Sequence, residues 1–228
     1  VDAVMYVLRC FEDGDITHVE GSVDPLRDAE IIELELAIAD LESLEKRVEN
    51  NAKKAKAGDK EAQALLAIAE PILALLREGK PARLYTPKDR EDAKRVKALQ
   101  LLTSKPAMYI LNVDEDAAAT GNALSAKAMQ MAKEKGTEAV VISAKIEAEM
   151  AGLTDEEKRE FLADLGLQET GLASIVRTGF TLLDILTFFT IGPKEARAWT
   201  VRRGATAPEA AGVIHTDFEK GFIRAETI

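Results

Sequence analysis

The apolar positions change period twice along the chain, and those changes divide it. Residues 4–11 (Val4-Met5-Tyr6-Val7-Leu8-Arg9-Cys10-Phe11) are a short apolar run rich in β-branched residues, closed by Glu12-Asp13-Gly14-Asp15. Such a run predicts a buried strand followed by a turn. Asp24-Pro25 reads as a helix cap and first position, after which apolar or small residues recur at 31, 34, 38, 41, 48, 52 and 55. Spacings of three and four predict a helix seam of coiled-coil type, interrupted at Glu45. Gly58-Asp59 predicts a stop and a new cap. A second seam through Ala62, Leu65, Ala69, Ile72 and Leu76 then folds the two helices into an antiparallel hairpin.

Beyond Gly79-Lys80-Pro81, a helix over about 89–101 leads to Lys105-Pro106, and there the period shortens. Ala107-Met108-Tyr109-Ile110-Leu111 is a continuous apolar run, followed by a polar loop and a helix over about 123–135 that Gly136 closes. Ala139-Val140-Val141-Ile142 is a further strand. Strand, helix and strand at this spacing predict a parallel α/β unit, which the first strand of the chain joins, so that the hairpin is an insertion. Helices are expected over about 154–165 and 170–184. The segment 186–228, with Phe188-Phe189, Ala198-Trp199-Thr200 and frequent Gly, reads as a small β-rich unit.

Composition narrows the function classes. Of 228 residues, 46% are hydrophobic and 31% charged, ordinary for a globular chain. No apolar run approaches the ~20 residues that cross a bilayer, and no basic, apolar and cleavable leader opens the chain, which reads as cytoplasmic with no membrane contact. Cys10 has no thiol partner, and two separated histidines offer no zinc-ligand spacing. A net charge of −10 opposes attraction of the whole chain to nucleic acid. The hairpin's far end is the exception: Lys46, Arg47, Lys53, Lys54, Lys56 and Lys60 form a basic tip, either a solvated face or a contact for RNA phosphates. From Lys194 to Glu226, six basic and five acidic residues nearly balance, so any RNA contact there would rest on shape.

Ligands of doubly wound sheets sit beyond the carboxyl ends of the strands. The loops there read Asn112-Val113-Asp114-Glu115 and Ser143-Ala144-Lys145. P-loop GTPases carry Asn-Lys-x-Asp and Ser-Ala-Lys in the equivalent loops, where the Asp carboxylate accepts two hydrogen bonds from guanine. Here Glu115 is one methylene longer, and Val113 stands where a Lys would cover the base. An Asn amide matches the donor and acceptor edge of adenine bidentately, so Asn112 with the Val113 backbone points to adenine. Taken alone, residues 112–115 also fit an ordinary turn and Ser143 a helix cap. His215 and Asp217 lack a nucleophile and read as structural or partner-facing, and Trp199 as a core anchor.

The Asn-x-x-Glu loop resembles that of the YchF family, the Obg-like ATPases. The resemblance extends through Val7-Leu8-Arg9-Cys10-Phe11, residues 36–44, Leu101-Leu102-Thr103, and Arg197-Ala198-Trp199-Thr200. It continues through Ala207-Pro208 and Ala211-Gly212 to Ile214-His215-Thr216-Asp217-Phe218-Glu219-Lys220-Gly221-Phe222-Ile223-Arg224-Ala225-Glu226. It implies a partial P-loop NTPase domain of Rossmann-like α/β class (1–22 with 104–185), an inserted helical hairpin (23–103) and the start of a β-grasp TGS domain (186–228). It further implies ATP or ADP with Mg²⁺ as cofactors, and Asn112, Val113, Glu115, Ser143, Ala144 and Lys145 around the base. The ribosome and its large-subunit RNA are the implied partners of a monomer, met through Lys53, Lys54, Lys56 and His215. No Gly-x-x-x-x-Gly-Lys-Ser/Thr or Asp-x-x-Gly occurs in the chain, and the family carries both upstream of the opening strand. With both ends reading as interruptions, a fragment is expected that does not hydrolyse ATP, whereas the intact protein does. The remaining alternatives are an adaptor with a vestigial nucleotide site and a GTP-selective factor.

Overall fold

A computed structural model describes residues 1–14, 21–193 and 195–226. Asp15, the last residue of the expected turn, and Lys194 lie outside the described residues. By compactness the chain divides into Val1–Ile175 and Val176–Ile228.

The first unit is organised by a three-stranded sheet, in the order β1 (Val4–Arg9), β2 (Ala107–Asn112), β3 (Glu138–Ile142), with both pairings parallel. Parallel neighbours need long crossovers, which explains why some hundred residues, largely helical, separate β1 from β2 while one helix separates β2 from β3. The central strand is buried on both faces, matching its unbroken apolar run. Tyr6, Leu8, Tyr109 and Leu111 pack with Ala29 of helix α1 (Pro25–Lys56) and with Ala128, Met131 and Ala132 of α4 (Ala123–Glu134). Tyr109 donates its hydroxyl to Glu33 of α1, and Lys135 reaches the same carboxylate at 2.7 Å. Burial, and then Glu33, push the Tyr109 pKa upward.

Helix α1 begins where the sequence predicts, with the Asp24 carboxylate accepting from the N–H groups of Leu26 and Arg27. It turns at Gly58, whose φ of +93° is a left-handed conformation that suits glycine. Asp59 caps α2 (Lys60–Arg77). Gln63 bonds Ala55 near the turn and Arg77 bonds Glu45 at 2.7 Å further along, so the two helices run antiparallel. The seam follows the expected one in the second half of α1, where Leu41 and Val48 pack against the core and Ala55 is buried, and differs in the first half. Ile31, Leu34 and Ile38 are 38–50% exposed, whereas Ala29, Ala37, Asp40 and Leu44 are buried. Small residues let α1 approach its neighbours closely, and the aliphatic pattern does not register this.

Asp40 explains the polar member of that seam. Only 3% exposed, it accepts from the N–H of Leu102 (2.8 Å), the N–H of Thr103 (2.7 Å) and the Thr103 hydroxyl (2.6 Å). The Thr103 oxygen in turn accepts from the Ala82 N–H at 3.0 Å. One carboxylate thus binds the hairpin to the segment that feeds β2. Helix α3 (Arg90–Leu99) closes this second core with Leu99. Beyond β3 come α5 (Ala144–Met150), α6 (Asp155–Asp164) and α7 (Gly171–Leu182), with Ile146, Met150 and Leu162 packed together.

The second unit contains an antiparallel pair, β4 (Ile185–Ile191) and β5 (Ala196–Arg202), then α8 (Ala207–Ile214) and α9 (Thr216–Lys220). The expected β-rich character is confined to that hairpin among the described residues. Ala207-Pro208 opens a helix because Thr206 and Glu209 form a capping box with Pro in the first turn, where its missing N–H costs nothing. Trp199 bonds Thr190 at 2.9 Å beneath the Arg197 guanidinium, which lies 4.2 Å from its ring. No helix among the described residues is long and apolar enough to cross a membrane.

Removing the Asp40 carboxylate strands the buried Thr103 N–H and hydroxyl and the partly buried Leu102 N–H. Asp40→Ala is therefore expected to lower stability by about 2–4 kcal/mol in urea denaturation, against less than about 0.5 kcal/mol for Glu42→Ala on the exposed side.

Candidate functional site

Parallel pairing places the ends of β2 and β3 side by side, with Asn112 opposite Ile142. The pairing continues one residue further, through Val113 N–H to the Ile142 carbonyl at 2.9 Å. On the other side Cys10 N–H bonds the Asn112 carbonyl at 2.7 Å. Asn112 is thereby held at the carboxyl edge between both neighbours, where a ligand would meet it.

The Asn112 side chain bridges the two loops. Its Oδ1 accepts from the Ala144 N–H at 2.9 Å. A backbone N–H needs an oxygen opposite it, so this bond sets the amide's orientation and leaves Nδ2 as the group to be offered. One of the two Oδ1 lone pairs is thereby used within the protein, so the bidentate match to adenine expected from the sequence would share that oxygen with Ala144. The two N–H groups of Nδ2 remain to donate, and N7 is an acceptor in both purines, so a bond from Nδ2 to N7 holds a purine without distinguishing the two. Val113 also departs from expectation: its side chain is buried in the sheet core and its N–H pairs with Ile142, so neither covers a base.

Glu115 and Lys145 form an ion pair that joins the same two loops. The Lys145 hydrogen bond holds the Glu115 carboxyl below the usual carboxylate range, and the partnership raises Lys145. Asp114 turns back to accept from the Ala117 N–H at 3.0 Å. Ser143 occupies the cap position of α5 without a side-chain cap bond; its buried hydroxyl has no partner among the described residues. It lines a cavity of about 140 Å³ with Glu147, Gly171 and Ser174, a polar space in which a water would satisfy it.

Three further residues shape the site without having been assigned a role from sequence. Asn122 caps α4, accepting from Ser125 N–H at 2.9 Å, and donates Nδ2 to the Cys10 carbonyl at 2.6 Å, tying α4 to the end of β1. The local signal was Asn-x-x-Ser before a helix; the long-range bond had none. Arg9 donates Nε to the Phe11 carbonyl at 3.0 Å with its guanidinium 4.9 Å from the Phe11 ring, bracing the loop beyond β1. Glu147 receives the Gly171 and Leu172 N–H groups at 2.6 and 3.3 Å, anchoring the start of α7 beside the Ser143 loop.

Lys53, Lys54 and Lys56 are exposed in the last turn of α1. They lie roughly 30 Å along the helix from Glu33, its contact with the sheet, at about 1.5 Å per residue. His215 belongs to the second unit, where its Nδ1 accepts from the Asp217 N–H at 3.2 Å and caps α9.

Cys10 is fully buried at the end of β1, and burial, with Asp28 adding to it, pushes its thiol from 9.0 up to about 12. The folded state therefore retains a proton that the unfolded chain releases above pH 9, so this contribution to stability falls as pH rises towards 12. Denaturation of wild type minus Cys10→Ala should show the loss, approaching ~1.4 kcal/mol per pH unit within that window. A thiol reagent at pH 8 should label only the unfolded chain.

The family described as "YchF-GTPase_C: Protein of unknown function (DUF933)" matches residues 185–228. The chain is 50% identical over 227 residues to "Ribosome-binding ATPase YchF" of Haemophilus influenzae, covering all of this chain and 62% of that protein. It is 47% identical over 230 residues to the protein of the same name in Bacillus subtilis, covering 63% of it. The solved YchF GTPase of Schizosaccharomyces pombe superposes with a TM-score of 0.80 at 36% identity, across 98% of this chain and 61% of that one.

Proposed function

Because this chain belongs to the YchF family, we propose that it supplies the base-holding loops of an adenine-nucleotide site in a ribosome-associated, cytoplasmic ATPase. The observation that carries the purine part of the reading is the bond from Ala144 N–H to Asn112 Oδ1, which leaves the amide N–H groups to donate at the carboxyl edge of a parallel sheet. A purine N7 fits such a donor, and Asn112, Ala144, Glu115 and Lys145 would surround the base. We assign 1–22 and 104–185 to the nucleotide domain, 23–103 to an inserted hairpin of coiled-coil type and 186–228 to a TGS-like segment.

Nucleotide hydrolysis further requires a grip on the triphosphate and on Mg²⁺, which glycine-rich loops with Lys and Ser/Thr supply in P-loop enzymes. No such loop occurs in these 228 residues, so the chain by itself holds a base and does not cleave ATP. The relatives are named as ribosome-binding ATPases, which supports ATP and the ribosome as ligands. The solved neighbour is named a GTPase, and its name favours the second reading, a guanine site.

Calorimetry on the full-length gene product separates the two. ATP should bind at least about tenfold more tightly than GTP, and Asn112→Ala should weaken both by about tenfold. Equal affinity, or a preference for GTP, would remove the adenine assignment.

For the ribosome, a Lys53/Lys54/Lys56 triple alanine variant should pellet less with ribosomes than the wild type, most clearly at low salt, because phosphate contacts are released by counterions. Unchanged pelleting would leave the tip as a solvated face.

A further inference from the structure

Two ties join the same pair of loops, an inner one from Ala144 to Asn112 and an outer one from Lys145 to Glu115. The inner tie leaves amide N–H groups whose bond to N7 adenine and guanine accept equally, so that contact does not select between them. Guanine differs from adenine in presenting two adjacent donors, ring N1–H and the 2-amino group, where adenine has an acceptor nitrogen and a bare carbon. An unpaired carboxylate accepts both donors and favours guanine. Each loop contributes carboxylates, and each of the following has an internal partner. Asp114 accepts from Ala117, Glu147 accepts from Gly171 and Leu172, and Glu115 is bound by Lys145.

We propose that Lys145 sets base selectivity by engaging the Glu115 carboxylate, so that guanine's N1–H and 2-amino donors lose water without gaining an acceptor, a cost that adenine, with no donor at those two positions, does not carry. Specificity then arises from a partner withheld. The proposal rests on the reading that Asn112 holds a purine. It makes Lys145 a positioning residue, acting through Glu115, and locates selectivity in the ion pair more than in the extra methylene of Glu over Asp. The Lys145 and Glu115 side chains are 67% and 36% exposed, so the pair contributes little to the fold and its removal is tolerated.

The test measures ADP and GDP affinities by calorimetry on the full-length gene product as wild type, Lys145→Met, and Lys145→Met combined with Glu115→Gln. Methionine retains an unbranched apolar stem and drops the ammonium. The GDP affinity relative to ADP should rise about tenfold in the single variant and return to the wild-type ratio in the double variant, because Gln lacks the paired acceptor. A rise below roughly threefold, or one that persists in the double variant, overturns the proposal. Thermal unfolding at the wild-type midpoint shows that the variants are folded. If Asn112→Ala leaves both affinities unchanged, the purine reading itself fails and this inference with it, an outcome distinct from a ratio that Lys145 does not move.

Discussion

Burial of one strand on both faces governs the first unit. β2 holds parallel partners on either side, and its residues 107–111 are all buried. A strand in that position can neither slip nor turn without exposing one apolar face and unpairing two ladders. The carboxyl ends of β1, β2 and β3 are therefore set in register, and Asn112, the residue that leaves the core first, emerges between Cys10 and the loop of Ser143. The candidate site is a consequence of sheet registry, with side-chain bonds refining what the backbone has placed.

The insertion is fastened to that frame by polar groups as much as by apolar contact. Asp40 collects three donors from Leu102 and Thr103, and Glu33 collects Tyr109 and Lys135. A buried carboxylate is costly to desolvate, and its satisfied hydrogen bonds compensate only in one arrangement. Such contacts select a single placement of α1 against the sheet where a purely apolar face would tolerate sliding. Ile31, Leu34 and Ile38 are exposed, while Leu26, Ile32, Leu36, Leu41, Leu44 and Val48 of the same helix are buried in or packed against the two cores.

At the site itself, the same logic of occupied partners applies. The Asn112 amide is oriented because Ala144 binds its oxygen, and Glu115 is engaged because Lys145 pairs with its carboxylate. Each bond removes an option from the loops, and what they can recognise is defined by the donors that remain.

The amino-acid sequence by itself determined the order of elements in the first unit, the helix caps at Asp24 and Asp59, the antiparallel hairpin, the parallel sheet and the loops that carry chemistry. These follow from periodicity and local capping, which act over a few residues. Family resemblance was equally legible, since it lies in runs such as Arg197-Ala198-Trp199-Thr200. The true face of α1, the helices after β5, the cap from Asn122 to Cys10 and the orientation of Asn112 were decided only by tertiary structure. The helices after β5 rest on local caps at Thr206 and His215, whereas the others depend on contacts between residues far apart in the chain, as with Asn122 and Cys10, 112 positions apart. Only the folded chain shows whether an Asn side chain will find its oxygen already taken, because that depends on which backbone N–H the sheet brings beside it.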